Sequence, residues 1–262
     1  MFSEPIYTVH GIPVFQNKMF NSAEDSLACP IGDVELVQDL DTGLIFNSHF
    51  RDDQIQYDSD YQNDQSMSAV FGKHIADVMN IINRFFKGKT LIEVGCGKGY
   101  LVQILLQKGY DVVGIDPAYE GESRQIVKSK FETTLGIEAD GLILRHVLEH
   151  VANPIAFLKQ LCSANRNKGL IYIEVPCFDW IINNKAWYDI FYEHCNYFRR
   201  IDFVNMFGSI YDIGTLFGGQ YLYVVADLAS LRSYEVNNHH KISSLQEIQR
   251  GLDKLCKFAQ GS

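Results

Sequence analysis

The feature that most constrains this chain is residues 91–100, LIEVGCGKGY, where an acid and three glycines stand at alternate positions: Glu93, Gly95, Gly97 and Gly99. Leu91, Ile92 and Val94 read as a short buried strand, and the apolar density of residues 100–106 reads as a helix packed on a sheet. The glycines therefore fall at a strand-to-helix turn. A backbone without Cβ can take positive φ there and let a ligand come close, while the first N–H groups of the helix face anything negative. The spacing excludes two common phosphate loops. A dinucleotide turn, G-x-G-x-x-G, needs its third glycine one residue beyond Gly99, and a triphosphate loop needs Gly-Lys followed by Ser or Thr, whereas Lys98 is followed by Gly99.

A second half accompanies the turn. A helix over 98–108 stops at Gly109, and a strand over 111–115 ends in Asp116, 17 residues after Gly99. A carboxylate at the tip of the second strand of such a unit is placed to accept hydrogen bonds from ribose hydroxyls. Glu93, Gly95, Gly97 and Gly99 with Asp116 resemble the first motifs of the Rossmann-like S-adenosylmethionine methyltransferases. The resemblance implies an α/β fold: a seven-stranded methyltransferase sheet with an antiparallel last strand, plus a small N-terminal lid module. It also implies S-adenosylmethionine over residues 95–99, with S-adenosylhomocysteine as product.

The whole chain fits this expectation. Its 262 residues suit one α/β domain with an appendage. A net charge of −9 argues against a nucleic-acid partner, which needs clustered Lys and Arg. No apolar run approaches the ~20 residues of a membrane span, and residues 1–8 lack a signal-peptide pattern, so a cytoplasmic location is expected. The six cysteines contain no C-x-x-C pair, so neither a zinc knuckle nor a redox dithiol is expected, and free buried thiols are.

Three segments follow: residues 1–65 as lid and substrate module, 66–232 as the cofactor-binding domain, and 233–262 as a C-terminal helix. In the first, residues 34–37 and 44–46 look like a β-hairpin. This module resembles the zinc module of the sugar C-methyltransferases in degenerate form, with Asp39 and Thr42 standing where those relatives carry knuckle cysteines. Tyr57, Tyr61 and Gln65 lead into a helix over 66–86, whose apolar positions keep helical spacing. The family places this stretch beside the cofactor and brings a tyrosine from it to the active site, here Tyr61.

Residues 126–131 read as a third strand and 141–144 as a fourth, with too little chain between them for a crossover helix. Phe131 and Glu132 are then the expected adenine lining. Ligands in this fold sit outside the carboxyl ends of the strands, so Arg145 and His146 are expected at the methionine end of the cofactor and His150 near the reacting centre. A fifth strand spans 169–175. The aromatic-rich connection after it suits stacking on a ring and equally a homodimer patch. Within it, residues 193–198, EHCNYF, resemble the E-H-x-x-Y-F segment of the sugar methyltransferases. That makes His194 the first candidate for base, oriented and made more basic by Glu193, with no metal role expected in the absence of cysteine partners. Residues 210–217 and 220–228 read as the antiparallel sixth and seventh strands, the latter at the edge.

The resemblance implies methyl transfer to a small-molecule acceptor, a sugar, nucleotide sugar or phosphorylated metabolite, with O-methylation in bacterial surface-polysaccharide modification as the expectation. C-methylation of a nucleotide-linked keto-sugar and non-catalytic cofactor binding are the alternatives. Several relatives continue past residue 258 into a second α/β domain, so a truncated or naturally short member is expected.

Overall fold

The structure, a computed structural model, describes residues 2–16, 18–55 and 68–232. Tyr57, Tyr61, Gln65 and the expected C-terminal helix lie outside the described residues. The N-terminal part comprises β1 (Tyr7–Pro13), α1 (Ala23–Leu27), β2 (Ile31–Gln38) and β3 (Ile45–Asn47). Next come α2 (Ala69–Phe86), β4 (Thr90–Val94), α3 (Tyr100–Gln107), β5 (Asp111–Ile115), β6 (Ile126–Val127) and β7 (Gly141–Arg145). The chain continues through α4 (Pro154–Ala164), β8 (Leu170–Pro176), α5 (Phe178–Asn184), β9 (Asn196–Tyr197) and α6 (Arg200–Met206) to the hairpin β10 (Ile210–Leu216) and β11 (Tyr221–Asp227).

Several helices begin where a side chain accepts from their first N–H groups. Ser68 accepts from Phe71 N–H ahead of α2, and Asn153 accepts from Ala156 N–H ahead of α4, with Pro154 in the first turn, where its missing donor costs nothing. Gly109, at φ +81, lets the chain leave α3, and the next residue, Tyr110, donates to the Leu105 carbonyl.

Seven strands form one sheet in the order β10-β11-β8-β7-β4-β5-β6. The five from β8 to β6 are parallel, and β11 runs antiparallel to both of its neighbours. This is the expected Rossmann-like methyltransferase sheet, with one correction: β10 is the edge strand, and β11 is interior. Alternation along the strands divides the core in two. Ile92, Leu142, Leu144, Ile171 and Ile173 pack on one face with Leu158 and Leu161 of α4. Leu91, Ile143 and Tyr172 pack on the other with Val78 and Ile82 of α2 and Leu105 of α3. Burying one such leucine contributes roughly 1.5–3 kcal/mol.

The third strand is shorter than its sequence suggests. Hydrogen bonding of Ser129 N–H to the Val127 carbonyl turns the chain at once, so Phe131 falls in a loop and is buried in the larger core cluster. Only a single 3₁₀ turn, Thr133–Leu135, leads on toward β7. Strand order reverses at β4, between β7 and β5, which opens the ligand crevice beyond the carboxyl ends of these strands.

The N-terminal hairpin is present as β2 and β3, but its sheet is larger than expected, with order β1-β2-β3-β9. Its last strand comes from far along the chain: Phe46 pairs with Asn196 and Ile45 with Tyr197. The turn before β3 is closed by Asp39 Oδ1, which accepts from the N–H groups of Asp41 (2.8 Å) and Thr42 (3.2 Å). Side-chain acceptance of this kind stabilises a turn by itself. Five cysteines are free among the described residues, and all but Cys29 are buried. No described helix is long and apolar enough to cross a membrane.

Candidate active site

Gly95, Gly97 and Gly99 take φ values of +73°, +54° and +79°, a left-handed conformation that costs a residue bearing Cβ roughly 1–2 kcal/mol. Their surroundings differ. A Cβ on Gly95 would stand 2.4 Å from Val147 Cγ2 and one on Gly99 2.3 Å from Ile126 Cδ1, whereas one on Gly97 would meet nothing within 4 Å. The outer glycines are pressed against the chain after β7 and against β6, and the crest of the turn faces open space. Asp116 crosses to this crest: its Oδ2 accepts from Gly97 N–H and its Oδ1 from Ala118 N–H, both at 2.8 Å. The cradle therefore fits an adenosyl cofactor, with the turn already held by the carboxylate expected at the ribose.

Glu93 lies beneath the turn, 4% exposed, and its Oε2 has no partner among the described residues. Burial lifts its pKa to about 7 against the pull of Arg145, with Asp116 and Glu174 adding to the rise.

At the ends of β7 and β8 the sequence candidates join residues that sequence reading missed. Glu174, fully buried, accepts from Arg145 Nε (3.2 Å) and Nη2 (3.0 Å) and, through its other oxygen, from the Tyr172 hydroxyl (2.6 Å); His74 Nε2 stands 3.0 Å from it. Burial pushes the Glu174 carboxyl up, but Arg145, His146 and His74 together hold it well below the ordinary range. His74 carried one signal in the sequence, an imidazole within the apolar stripe of α2.

His146 connects two clusters. Its backbone is left-handed, φ +51°, and its N–H donates to the Glu174 carbonyl at 2.9 Å. Its Nδ1 lies 3.2 Å from Glu149 Oε1 and its Nε2 3.2 Å from Glu174 Oε1. Burial alone would lower its pKa, yet the hydrogen bonds to the two carboxylates raise it to about 9. At neutral pH this ring is an imidazolium. Beside it, Glu149 is 1% exposed and its Oε2 has no partner among the described residues.

His150 Nδ1 is 2.9 Å from the Glu193 carbonyl, and the rings of His150 and His194 face each other at 4.9 Å between centroids. Phe191 covers His194 at 3.9 Å. The structure thus brings His146, Glu149, His150 and His194 together and corrects the role expected of Glu193. A turn closed by His194 N–H on the Phe191 carbonyl sends the Glu193 side chain the other way, where its Oε2 accepts from Gln16 N–H at 2.7 Å. Without that partner, burial first and then the charges of His150 and His146 hold the His194 pKa well below the usual value, although a hydrogen bond to the Asp189 backbone opposes them. His194 is a neutral imidazole rather than a strengthened base.

Curated relatives match about a third of the chain. A ubiquinone biosynthesis O-methyltransferase of Methylobacterium sp. (strain 4-46) is 31% identical over 99 residues, 32% of this chain and 40% of that protein. The enzyme of the same name from Roseobacter denitrificans is 31% identical over 108 residues, 31% of this chain and 44% of its own. The chain thus covers less than half the length of either relative. A solved magnesium protoporphyrin IX methyltransferase from Synechocystis PCC 6803 with bound SAH aligns at TM-score 0.47 and 18% identity, over 60% of this chain and 83% of that one. The names of the curated relatives overturn the expected sugar and surface-polysaccharide function, together with its keto-sugar alternative. Structurally, the EHCNYF segment that suggested it serves to close the N-terminal sheet, and the Asp39 turn needs no lost metal knuckle to explain it. Residues 70–209, more than half of the chain, match the family described as a methyltransferase domain, and the chain belongs to that family.

Proposed function

We propose that this protein is an S-adenosylmethionine-dependent O-methyltransferase whose acceptor is a hydroxyl on a small aromatic ring. The observation that carries the reading is the convergence, at the switch point of the sheet, of an open glycine cradle and a buried imidazole–carboxylate cluster. The bound cofactor supplies an electrophilic methyl group. Gly95, Gly97 and Gly99 admit it, Asp116 meets its ribose, and Arg145 and His146 lie at its methionine end. Glu149, His150 and His194 form the acceptor side, where the hydroxyl gives up its proton to the neutral imidazole of His194 as its oxygen takes the methyl. Phe191 and the facing imidazoles give that side the flat apolar walls that suit a ring. The O-methyltransferase names of the curated relatives support oxygen as the accepting atom.

The test is methyl transfer from labelled cofactor to a panel of di- and trihydroxybenzenes, with and without an apolar side chain. A mass gain of one methyl on one of them, with kcat falling roughly a hundredfold or more in His194→Ala, is the expected result. Cofactor binding with no S-adenosylhomocysteine formed from any hydroxyl acceptor refutes the reading.

A further inference from the structure

Glu174 holds more of this site than an ion pair with Arg145 requires. It is fully buried near the carboxyl end of β8, and its partners come from α2, from the end of β7 and from the turn after it. Its Oε1 meets Arg145 through Nε and Nη2, His74 through Nε2 at 3.0 Å and His146 through Nε2 at 3.2 Å, while its Oε2 accepts from the Tyr172 hydroxyl at 2.6 Å. Its main-chain carbonyl accepts from His146 N–H at 2.9 Å. One residue thus grips His146 at both ring and backbone. The backbone so gripped is left-handed, φ +51°, a conformation that a residue with a side chain keeps where its surroundings impose it.

We propose that Glu174 is a positioning residue for the cofactor, setting Arg145 and His146 to face the carboxylate of its methionine moiety. Three observations carry this. The first is the layering of the cluster: the Glu174 and His74 side chains are fully buried, whereas Arg145 is 9% and His146 23% exposed, so the carboxylate lies beneath and the cations lie toward the cleft. The second is the pattern of donors. Arg145 spends Nε and Nη2 on Glu174, and its Nη1 makes no hydrogen bond among the described residues, which leaves N–H groups for an outer carboxylate. His146 has Glu149 at its other ring nitrogen, 3.2 Å away, so it contributes charge rather than a donor. The third is the enclosure. The Tyr221 ring stands edge-on to His146 at 4.5 Å and to His74 at 5.1 Å, and Phe217 edge-on to His74 at 5.4 Å. Such walls exclude water that would screen the charges.

A buried ion pair adds little net stability over an apolar filling of the same volume. What it does supply is order. An arginine already fixed in one rotamer loses less freedom when a ligand arrives, and the difference appears as affinity. The inference rests on the reading that places S-adenosylmethionine in this cleft, and assigns Glu174, Tyr172 and His74 a part in it that none of them performs by touching the cofactor.

The experiment titrates the full chain at pH 7 by calorimetry with two ligands, S-adenosylmethionine and its decarboxylated form, which keeps the adenosine, the sulfonium and the amine and lacks the carboxylate. Glu174→Gln should weaken S-adenosylmethionine about tenfold or more and the decarboxylated ligand less than about twofold. His146→Asn removes the cation while keeping a residue that tolerates the left-handed backbone, and should show the same selective loss. Tyr172→Phe removes one support of Glu174 and no charge, and carries the test if Glu174→Gln does not fold. Its loss should be about threefold, again confined to the ligand with the carboxylate. Equal weakening of both ligands makes Glu174 merely structural and overturns the proposal, as does S-adenosylmethionine affinity unchanged in the variants. Selective loss in a protein that methylates no hydroxyl keeps the positioning role and refutes the O-methyltransferase. Methyl transfer by wild type, with both ligands weakened equally in the variants, does the reverse.

Discussion

Glu93→Gln in the cofactor-free protein should make the fold more stable above neutral pH and flatten its pH dependence. The wild-type carboxyl has a pKa of about 7 when folded against an ordinary 4.5. Between these values the folded chain keeps a proton that the unfolded chain has released. A state that holds more protons loses ground as pH rises, so wild-type stability falls across this window and levels off above pH 7. At about 1.4 kcal/mol per pH unit the full window costs on the order of 3 kcal/mol. Glutamine keeps an oxygen for the Val102 N–H, which now supports the Glu93 carboxylate, and removes the charge. Urea unfolding of both proteins at pH 5 and pH 8 gives the answer, since other titrating groups cancel in the difference. The variant should exceed wild type by about 2–3 kcal/mol more at pH 8 than at pH 5. A gap equal at the two pH values refutes the argument that burial keeps this carboxyl protonated.

Other outcomes follow from the same geometry. Gly99→Ala must place a Cβ 2.3 Å from Ile126 Cδ1 at φ +79°, so calorimetry should show cofactor affinity at least about tenfold weaker, with a strain of roughly 1–2 kcal/mol in the turn. Asp116→Ala removes the acceptor of Gly97 N–H and should weaken S-adenosylmethionine by about tenfold or more while leaving the melting temperature within a few degrees. Glu174→Gln strips the counter-charge from Arg145 and should destabilise by about 3–5 kcal/mol in urea titration. Tyr192→Phe loses the hydroxyl that accepts from Arg51 N–H (3.0 Å) and donates to Gln54 Oε1 (2.8 Å), at a cost of about 1–2 kcal/mol.

The donor side was legible in the sequence because its geometry is local. Three glycines at alternate positions and an acid at the next strand tip fix a strand, a turn and a helix within 24 residues of Glu93 to Asp116 by covalent spacing alone. The acceptor side depends on long-range packing. His74 and Glu174 are 100 positions apart, and nothing near either residue in the chain names the other. The adjacency of Glu193 and His194 suggested a working pair, yet a turn points the two side chains apart, and the partner of His194 is His150. Phe131 fell in a loop because one hydrogen bond at Ser129 ended the third strand early. The shared sheet was invisible for the same reason: two residues of strand, Asn196 and Tyr197, carry no periodicity to detect.

That two-residue strand limits where the protein can be cut. Residues 70–209, the span of the family match, omit β1 to β3 on one side and the whole β10–β11 hairpin on the other. A fragment trimmed to those bounds keeps the glycine turn and Asp116 but strands β9 as an open edge, with Glu193 deprived of Gln16 and Asn47 no longer donating to the Cys195 carbonyl. Such a fragment also loses β11, which pairs with β8 along its whole length. The N-terminal residues therefore brace the segment that carries His194, and any exchange of them between relatives alters the support of that segment along with them.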